Sequence, residues 1–273
     1  MVATTPQVEW ALTAHATAEG LATRAKGRSI TGRSRACYLQ DIVMRTFPAY
    51  HAVRLGLTGV LLMVSAISAS AQGGTITGIA TTALKGLRPL RVTMDMKVCG
   101  AEVPDETISV GPGGALANVV VTLTGVKVTA PYPDPQVTNE KCRFLPRVQL
   151  ARPGAPTKTT SHDALLHTTN AQQDGGRTLF NVGLPVPNMV VTRPLNGAGL
   201  VRITCNTHQW MRGFIMVTDE LGAVTGADGS FRIAGVPAGT YELKVWHELL
   251  KVAPVKVTVT NGAATSVKLA LAR

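Results

Sequence analysis

The chain has 273 residues, of which 45% are hydrophobic and 16% charged, and these ordinary proportions exclude wholesale disorder. Its formal net charge is +11, and its basic residues are spread singly rather than in runs. This distribution argues against nucleic acid as a partner and favours a merely solvated surface, with steering toward an acidic partner as the alternative. Glycine (27) and proline (16) are plentiful and aromatic residues make up 4%, which together with many Val, Thr and Ile predicts an all-β protein.

In chain order, the first informative segment begins at Met44. A short basic region precedes an apolar stretch over residues 55–67, and the small residues Ala69 and Ala71 form an A-x-A site. These features predict a secretory signal peptide over residues 44–71. The apolar stretch is shorter than the roughly 20 residues that span a bilayer, so we expect cleavage after Ala71 and no stable membrane span afterwards. An uncleaved or lipid anchor is the alternative.

Residues 1–43 precede this signal and show no periodic pattern. A folded domain has no obvious use in that position, so we expect residues 1–43 to be a mis-assigned or disordered leader and translation to begin at Met44. The signal predicts a periplasmic or secreted protein.

Beyond residue 72 the chain consists of short runs rich in β-branched residues and separated by glycine and proline, a pattern typical of a sandwich or barrel. We expect residues 72–219 to form one β-sandwich. The runs are GGTITGIATT, RPLRVTMDMKVCG, LANVVVTLTGVKVT, RFLPRVQLARPG, TKTTSHDALLHTTN, RTLFNVGLP, MVVTRPL, GLVRITC and RGFIMVTDE.

The chain changes character after residue 219. The strands SFRIAGV and TYELKVWHE are separated by a Pro-Ala-Gly turn, and VKVTVTNGAATSVKLALA contains Asn261-Gly262, which predicts a hairpin with a type I′ turn. Residues 220–273 are therefore predicted to be a separate small β module. At roughly fifty residues it is marginal as an independent fold, so we expect it to pack on the first domain.

Three cysteines follow the predicted cleavage site: Cys99, Cys142 and Cys205. In an oxidising compartment two should pair, and the third needs a reason to remain a thiol. Cys99 and Cys142 have no His nearby, so we predict a disulfide between them. Pairing through Cys205 or with another chain is the alternative.

The segment TCNTHQWM suggests why Cys205 would remain a thiol, because it places Cys205, His208 and Met211 three residues apart. A thiolate, two imidazoles and a weak thioether form the ligand set of a blue copper site. If Cys205 ends the strand GLVRITC and Met211 precedes RGFIMVTDE, one loop supplies three ligands.

The second imidazole must come from elsewhere in the chain beyond residue 72, where the candidates are His162, His167 and His247. His167 follows the apolar pair Leu165-Leu166 on a segment that could run beside the cysteine strand, so we predict His167 as the ligand. His162 lies in the preceding turn and is expected to be exposed. His247 is expected to be a surface or hydrogen-bonded histidine.

The same residues allow other interpretations. Cys205 could be a small buried hydrophobe with Met211 in the core and His208 on the surface. Zinc suits the set poorly because a thioether is a weak zinc ligand, and haem attachment lacks a C-x-x-C-H motif. Trp210 could provide a docking surface for a redox partner or cap the core. Because nucleophile-elbow and phosphate-loop motifs are missing from the sequence, we do not expect an enzyme.

Cys205-x-x-His208-x-x-Met211 resembles the short ligand loop of amicyanin-type cupredoxins, and His167 in LLHTTN resembles their N-terminal histidine ligand. A wider set of segments resembles exported bacterial plastocyanin-like proteins that carry a carboxypeptidase regulatory-like module, and covers nearly all of residues 73–250. The resemblance implies a cupredoxin Greek-key sandwich, one type 1 copper ion and, by analogy, electron transfer with an unidentified redox protein. The segments are KVCGAEVPDETISVGPGGALANVVVTLTG, CRFLPRV, SHDALLHTTN, CNTHQWMRGFIMVTD and DGSFRIAGVPAGTYELKVWHE.

The sequence departs from that family at two points. HTTNAQ replaces a longer stretch containing His and Asn, so Thr168 is expected to provide the hydrogen bond near the Cys205 sulfur. Arg147 stands where a histidine is common and is expected to affect the surface. The alternative function is an exported protein that stores or delivers copper, or a module that binds a cell-surface component or carbohydrate.

Overall fold

The computed structural model describes residues 73–273, so the predicted leader (1–43) and signal peptide (44–71) lie outside the described residues. Within that range no helix has the length and apolar character that a membrane crossing requires. The described chain is all-β, as predicted. Its strands are Gly74–Thr81 (β1), Leu90–Arg91 (β2), Glu102–Val103 (β3), Val120–Lys127 (β4), Gln136–Glu140 (β5), Arg143–Leu145 (β6), Val148–Ala151 (β7), Pro156–Ser161 (β8), His167–Gln173 (β9), Thr178–Leu184 (β10), Val190–Pro194 (β11), Gly199–Thr204 (β12), Arg212–Val217 (β13), Glu220–Val224 (β14), Ser230–Val236 (β15), Gly239–Trp246 (β16), Val255–Val259 (β17) and Ala264–Ala270 (β18).

Between β2 and β4 lie a one-turn helix, α1, and two 3-10 turns. Their bounds are Met96–Cys99 for α1, and Glu106–Ile108 and Pro112–Gly114 for the turns.

Seven strands form the first sandwich, which we call the frame sandwich. One sheet has the order β15-β1-β18 and the other β14-β4-β16-β17. In β1 the alternate residues Ile76 and Ala80 are buried while Ile79 is exposed, as expected for a strand with one face on a core. The frame core also contains Leu116, Val121, Leu123, Phe231, Ile233, Leu243, Val257 and Leu269.

Nine strands form the second sandwich, which we call the insert sandwich. Its sheets have the orders β10-β9-β12-β13-β7 and β11-β8-β5-β6. β12 lies in the middle of the larger sheet, antiparallel to both β9 and β13. Its core is separate from that of the frame sandwich and contains Val137, Phe144, Ala171, Leu184, Leu195, Val201, Ile203, Cys205, Met211 and Ile215.

The strand pairing corrects the predicted division into residues 72–219 and 220–273. β1 pairs with β15 and β18, and β4 pairs with β14 and β16, so two strands assigned to the first domain belong to the sandwich of the second. A module of roughly fifty residues buries too little apolar surface by itself, and β1 and β4 complete its two sheets. Alternating polarity indicates that a strand has a buried face, but it does not indicate which sheet the strand joins.

The predicted hairpin at Asn261-Gly262 is also wrong. β17 pairs with β16, whereas β18 pairs in parallel with β1 in the opposite sheet. Gly262 does adopt a positive φ of 69°. Asn261 does not, so the turn is not the predicted type I′ turn, and it carries the chain from one sheet of the frame sandwich to the other.

Residues 90–103, which we call the strap, leave the frame sandwich after β1 and cross to the insert sandwich. β2 pairs with β3, and the buried residues Val92, Cys99 and Val103 join the insert core. Cys99 forms the predicted disulfide with Cys142 in the turn between β5 and β6. The chain then returns to the frame core at Ile108. The strap is thus fixed to the insert sandwich by a covalent bond and by apolar contacts.

The two sandwiches meet around Phe214 and Trp246, whose ring centroids are 5.2 Å apart. Arg147 lies over the Phe214 ring, pairs with Glu248 and donates from Nη1 to the Arg212 carbonyl at 3.1 Å. Arg147 is only 8% exposed, which corrects the expectation that it affects the surface. A charged side chain is buried here because both a carboxylate and a carbonyl face its guanidinium.

Candidate metal centre

The centre of the candidate site is Cys205, which directly follows β12. His167 is the first residue of the neighbouring strand β9, and Thr204 of β12 lies opposite Asn170 of β9. Residues 205–211 form the loop from β12 to β13. Within this loop the Met211 N–H donates to the His208 carbonyl at 2.9 Å and closes a tight turn. The sheet register therefore brings the two segments that carry the predicted ligands to the same end of the insert sandwich.

The two imidazoles face the thiol with the same ring nitrogen. The Nδ1 atoms of His167 and His208 lie 3.9 and 3.6 Å from Cys205 Sγ. Both histidines are fully buried and Cys205 is 4% exposed. The structure thus brings together three of the four residues predicted as ligands, and the three ligand atoms lie within 4.8 Å of one another. Met211, the fourth, is buried in the same core.

Thr168 lies where the sequence predicts. Its backbone N–H and its hydroxyl donate to Cys205 Sγ at 3.5 and 3.7 Å. The hydroxyl oxygen also accepts the Asn206 N–H at 2.7 Å, which links β9 to the ligand loop. Two donors aimed at one sulfur favour its thiolate form.

Two carboxylates contact the Nε2 atoms of the imidazoles, on the side of each ring away from Cys205. Neither carboxylate was predicted from the sequence. Asp163 Oδ2 is 2.9 Å from His167 Nε2, and Asp95 Oδ2 is 3.0 Å from His208 Nε2. A carboxylate only accepts, so each Nε2 carries a proton, and in the neutral imidazole the Nδ1 lone pair then faces Cys205, as metal binding requires. Asp163 stands four residues before His167, a spacing that could have indicated its role.

The polar contacts of the site change the pKa values of its groups. Burial raises the pKa of the Cys205 thiol, but hydrogen bonds from the doubly protonated His167 ring and from nearby backbone N–H groups outweigh burial and lower it to about 5. Burial lowers the pKa of His167, yet contact with Cys205 and Asp163 raises it above the ordinary 6.5. The site therefore favours a thiolate, which is the metal-binding form of cysteine.

The other candidate residues lie elsewhere. His162 is exposed, as expected, with Nδ1 3.6 Å from a Glu140 carboxylate oxygen. His247 is buried in contact with the backbone N–H groups of Leu249 and Leu250, which donate to its Nδ1 at 3.1 Å, and burial lowers its pKa to about 4. It is therefore the hydrogen-bonded histidine that the sequence allowed.

Trp210 packs beside the site rather than projecting from it. Its ring centroid is 5.1 Å from that of His208, and its Nε1–H donates to the Cys142 carbonyl at 3.1 Å. The indole is partly buried against the insert core. This contact joins the ligand loop to the turn that carries the disulfide.

The donor set fits a soft metal. Two ligands at about 2.0–2.3 Å from one metal ion are separated by roughly 3.6–3.8 Å at tetrahedral to trigonal angles, close to the separations of Cys205 Sγ from the two Nδ1 atoms. One thiolate and two imidazoles near a thioether suit copper in both of its oxidation states. A second group formed by Cys142, Asp163 and His167 does not qualify, because Cys142 is in a disulfide.

Comparisons with known proteins match parts of the chain. Residues 223–267 match the family model described as polysaccharide lyase family 4, domain II, rather than the expected carboxypeptidase regulatory-like module. No curated protein matches the chain. It is similar to the solved structure of a purple cupredoxin from Nitrosopumilus maritimus at 19% identity, covering 31% of this chain and 100% of that one, with a TM-score of 0.28. It is also similar to amicyanin from Paracoccus versutus at 20% identity, covering 36% and 97%, with a TM-score of 0.28.

Proposed function

We propose that this chain is a type 1 copper protein that binds one copper ion through His167, Cys205, His208 and Met211. The observation that carries the proposal is the buried thiol faced by two imidazole Nδ1 atoms at 3.6 and 3.9 Å. The chemistry of the donors supports copper, because Cu(I) prefers sulfur while Cu(II) prefers nitrogen, and a mixed set serves both.

The surrounding residues support a role in electron transfer. Copper, when bound, supplies a one-electron couple. Asp163 and Asp95 hold His167 and His208 from behind, and Thr168 donates to the sulfur, so the ligand side chains have little freedom to move. A rigid set of ligands reduces the rearrangement that accompanies gain or loss of an electron. This role needs no catalytic residue.

The proposed carrier works outside the cytoplasm with a redox protein as its partner. The disulfide between Cys99 and Cys142 indicates an oxidising compartment, and the predicted signal peptide is the route to it. A protein that stores or delivers copper would use the same ligands. Voltammetry separates the two: reversible one-electron cycling with fast self-exchange supports the carrier, and sluggish or irreversible cycling supports storage.

The ligand assignment is tested by His167→Gly in protein purified from cells that express the full chain. This variant removes one imidazole, so added free imidazole should refill the position and restore the thiolate-to-copper absorption. The matched control is His162→Gly, which alters an exposed histidine five residues away and should leave the spectrum intact. An unchanged spectrum in His167→Gly would refute the assignment.

A further inference from the structure

His208 has a second structural partner outside the insert sandwich. The ring is fully buried, and its Nε2 lies 3.0 Å from Oδ2 of Asp95, a residue of the strap 113 positions earlier in the chain. The Asp95 side chain is 46% exposed and therefore lies between the imidazole and solvent. The outer edge of His208 is thus covered by a segment that is distant in sequence.

Local structure holds Asp95 in place. Its backbone adopts the left-handed conformation, with φ 55° and ψ 30°, immediately before helix α1. Its carbonyl accepts from the N–H groups of Val98 and Cys99, both at 2.9 Å. A non-glycine residue at positive φ costs free energy and persists when the surrounding structure requires it. Asp95 tolerates this conformation better than most residues, and here it directs the carboxylate at His208.

The strap is anchored on both sides of that contact. Cys99, four residues after Asp95, is joined to Cys142, and the Val92 N–H donates to the Ala101 carbonyl at 3.0 Å. Val92 and Cys99 are both buried in the insert core. The carboxylate therefore stands on a segment whose position relative to the ligand loop is fixed.

From these contacts we propose that Asp95 is a positioning residue for His208 and that the strap closes the outer edge of the metal site. The inference rests on the proposed copper site. The Asp95 carboxylate accepts a hydrogen bond from the Nε2–H of His208. This keeps the proton on Nε2 and leaves the Nδ1 lone pair directed at Cys205 Sγ, 3.6 Å away. Asp163 does the same for His167 from within the insert sandwich, so the two ligand histidines are oriented by different parts of the chain.

The test compares Asp95→Ala and Asp95→Asn with the control Glu102→Ala, an exposed carboxylate on the same strap. Cu(II) affinity is measured by competition with a chelator, using protein purified from cells that express the full chain. Asp95→Ala should bind Cu(II) about 10- to 100-fold more weakly, while Glu102→Ala stays within about 2-fold of the wild type. Asp95→Asn retains an oxygen that accepts from Nε2, so its loss should be smaller than that of Asp95→Ala.

A second measurement needs no metal. In metal-free protein with 15N-labelled histidine, NMR should find His208 protonated at Nε2 in the wild type, in Asp95→Asn and in Glu102→Ala. Asp95→Ala should show a mixture of the two tautomers, which a role confined to folding would not produce.

Equal affinity and equal tautomer populations in Asp95→Ala and Glu102→Ala would overturn the inference while leaving the copper site intact. If the wild type bound no Cu(II), the proposed function would fail, and the NMR comparison would still decide whether Asp95 orients His208. If Asp95→Ala did not fold, Asp95→Asn would decide: a His208 tautomer mixture in that variant would contradict the role of its oxygen as acceptor.

Discussion

Lys127 at the end of β4 lies directly opposite Glu220 at the start of β14 in an antiparallel pair. The insert sandwich is formed by the chain between these two residues, so it leaves and re-enters the frame sandwich through adjacent strands. Such closely spaced ends are typical of tolerated domain insertions. Because the candidate metal centre is built from the insert sandwich and the strap, damage to the frame core should be separable from damage to metal binding.

Ile76→Ala tests this separation. Ile76 is fully buried in the frame core, so the substitution should lower the free energy of unfolding by about 2–5 kcal/mol through lost apolar contacts and a residual cavity. Copper affinity should remain unchanged. The control is Ile79→Ala on the same strand, where the side chain is 46% exposed and the cost should be below about 0.5 kcal/mol. Chemical denaturation measures the free energy of unfolding of both variants. A large loss of copper affinity in Ile76→Ala would contradict the division of the fold into two sandwiches.

The disulfide should stabilise the fold and support the metal site. Replacing both Cys99 and Cys142 by serine opens a loop with a sequence separation of 43 and should lower the free energy of unfolding by about 3–4 kcal/mol. The same double variant should bind copper more weakly, because the strap that carries Asp95 loses its anchor. Both cysteines are replaced so that no new thiol competes for metal. Unchanged copper affinity in a folded double variant would contradict the claim that the anchored strap supports the metal site.

Arg147 and Glu248 form a nearly buried ion pair between the sandwiches, 8% and 16% exposed. Glu248→Ala leaves the guanidinium without its carboxylate and should lower the free energy of unfolding by about 3–5 kcal/mol. Replacing both, as Arg147→Met with Glu248→Leu, should recover most of this loss because no buried charge is left unpaired and the other partner of Glu248, Arg212, is exposed. Asp219→Ala breaks the exposed pair with Lys127 and should lower the free energy of unfolding far less than Glu248→Ala does. Equal losses in Glu248→Ala and Asp219→Ala would refute this account of the interface.

His247 should make stability depend on pH. Burial and the nearby Arg147 charge lower its pKa from 6.5 to about 4. Between pH 4 and pH 6.5, therefore, His247 is protonated in the unfolded chain and neutral in the folded chain. Its contribution is complete above pH 6.5 and is lost as pH falls toward 4, by at most about 3 kcal/mol. His247→Asn keeps a side-chain acceptor and removes the titration. Denaturation of both proteins from pH 7 to 4 should show a steeper loss in the wild type, and parallel curves would contradict the prediction.

The sequence predicts those features that depend on neighbouring residues. TCNTHQWM places three candidate ligands in one loop between two strands, and elimination among the cysteines predicts the disulfide. The sequence predicts His167 because it follows an apolar pair on a segment that could run beside the cysteine strand, and the structure does bring its ring to Cys205. Each of these inferences uses spacing within one segment or the chemistry of a residue type.

Features that depend on distant pairing could not be predicted. β1 has the alternation of any half-buried strand, and only the assembled frame sandwich shows that β15 and β18 are its neighbours. Asp95 has no local motif that connects it to a histidine 113 positions later. Arg147 resembles a surface residue until Glu248 is seen to pair with it. In all three cases the partner lies in a segment with which the residue shares no sequence pattern.

The central claim is that Cys205 binds copper as a thiolate, and the most direct measurement is the visible and electron paramagnetic resonance spectrum of the purified protein after addition of Cu(II). We predict one copper ion per chain and an intense thiolate-to-copper absorption band that is lost in Cys205→Ser. A colourless wild-type protein without bound copper, or an equally intense band in Cys205→Ser, would contradict the claim.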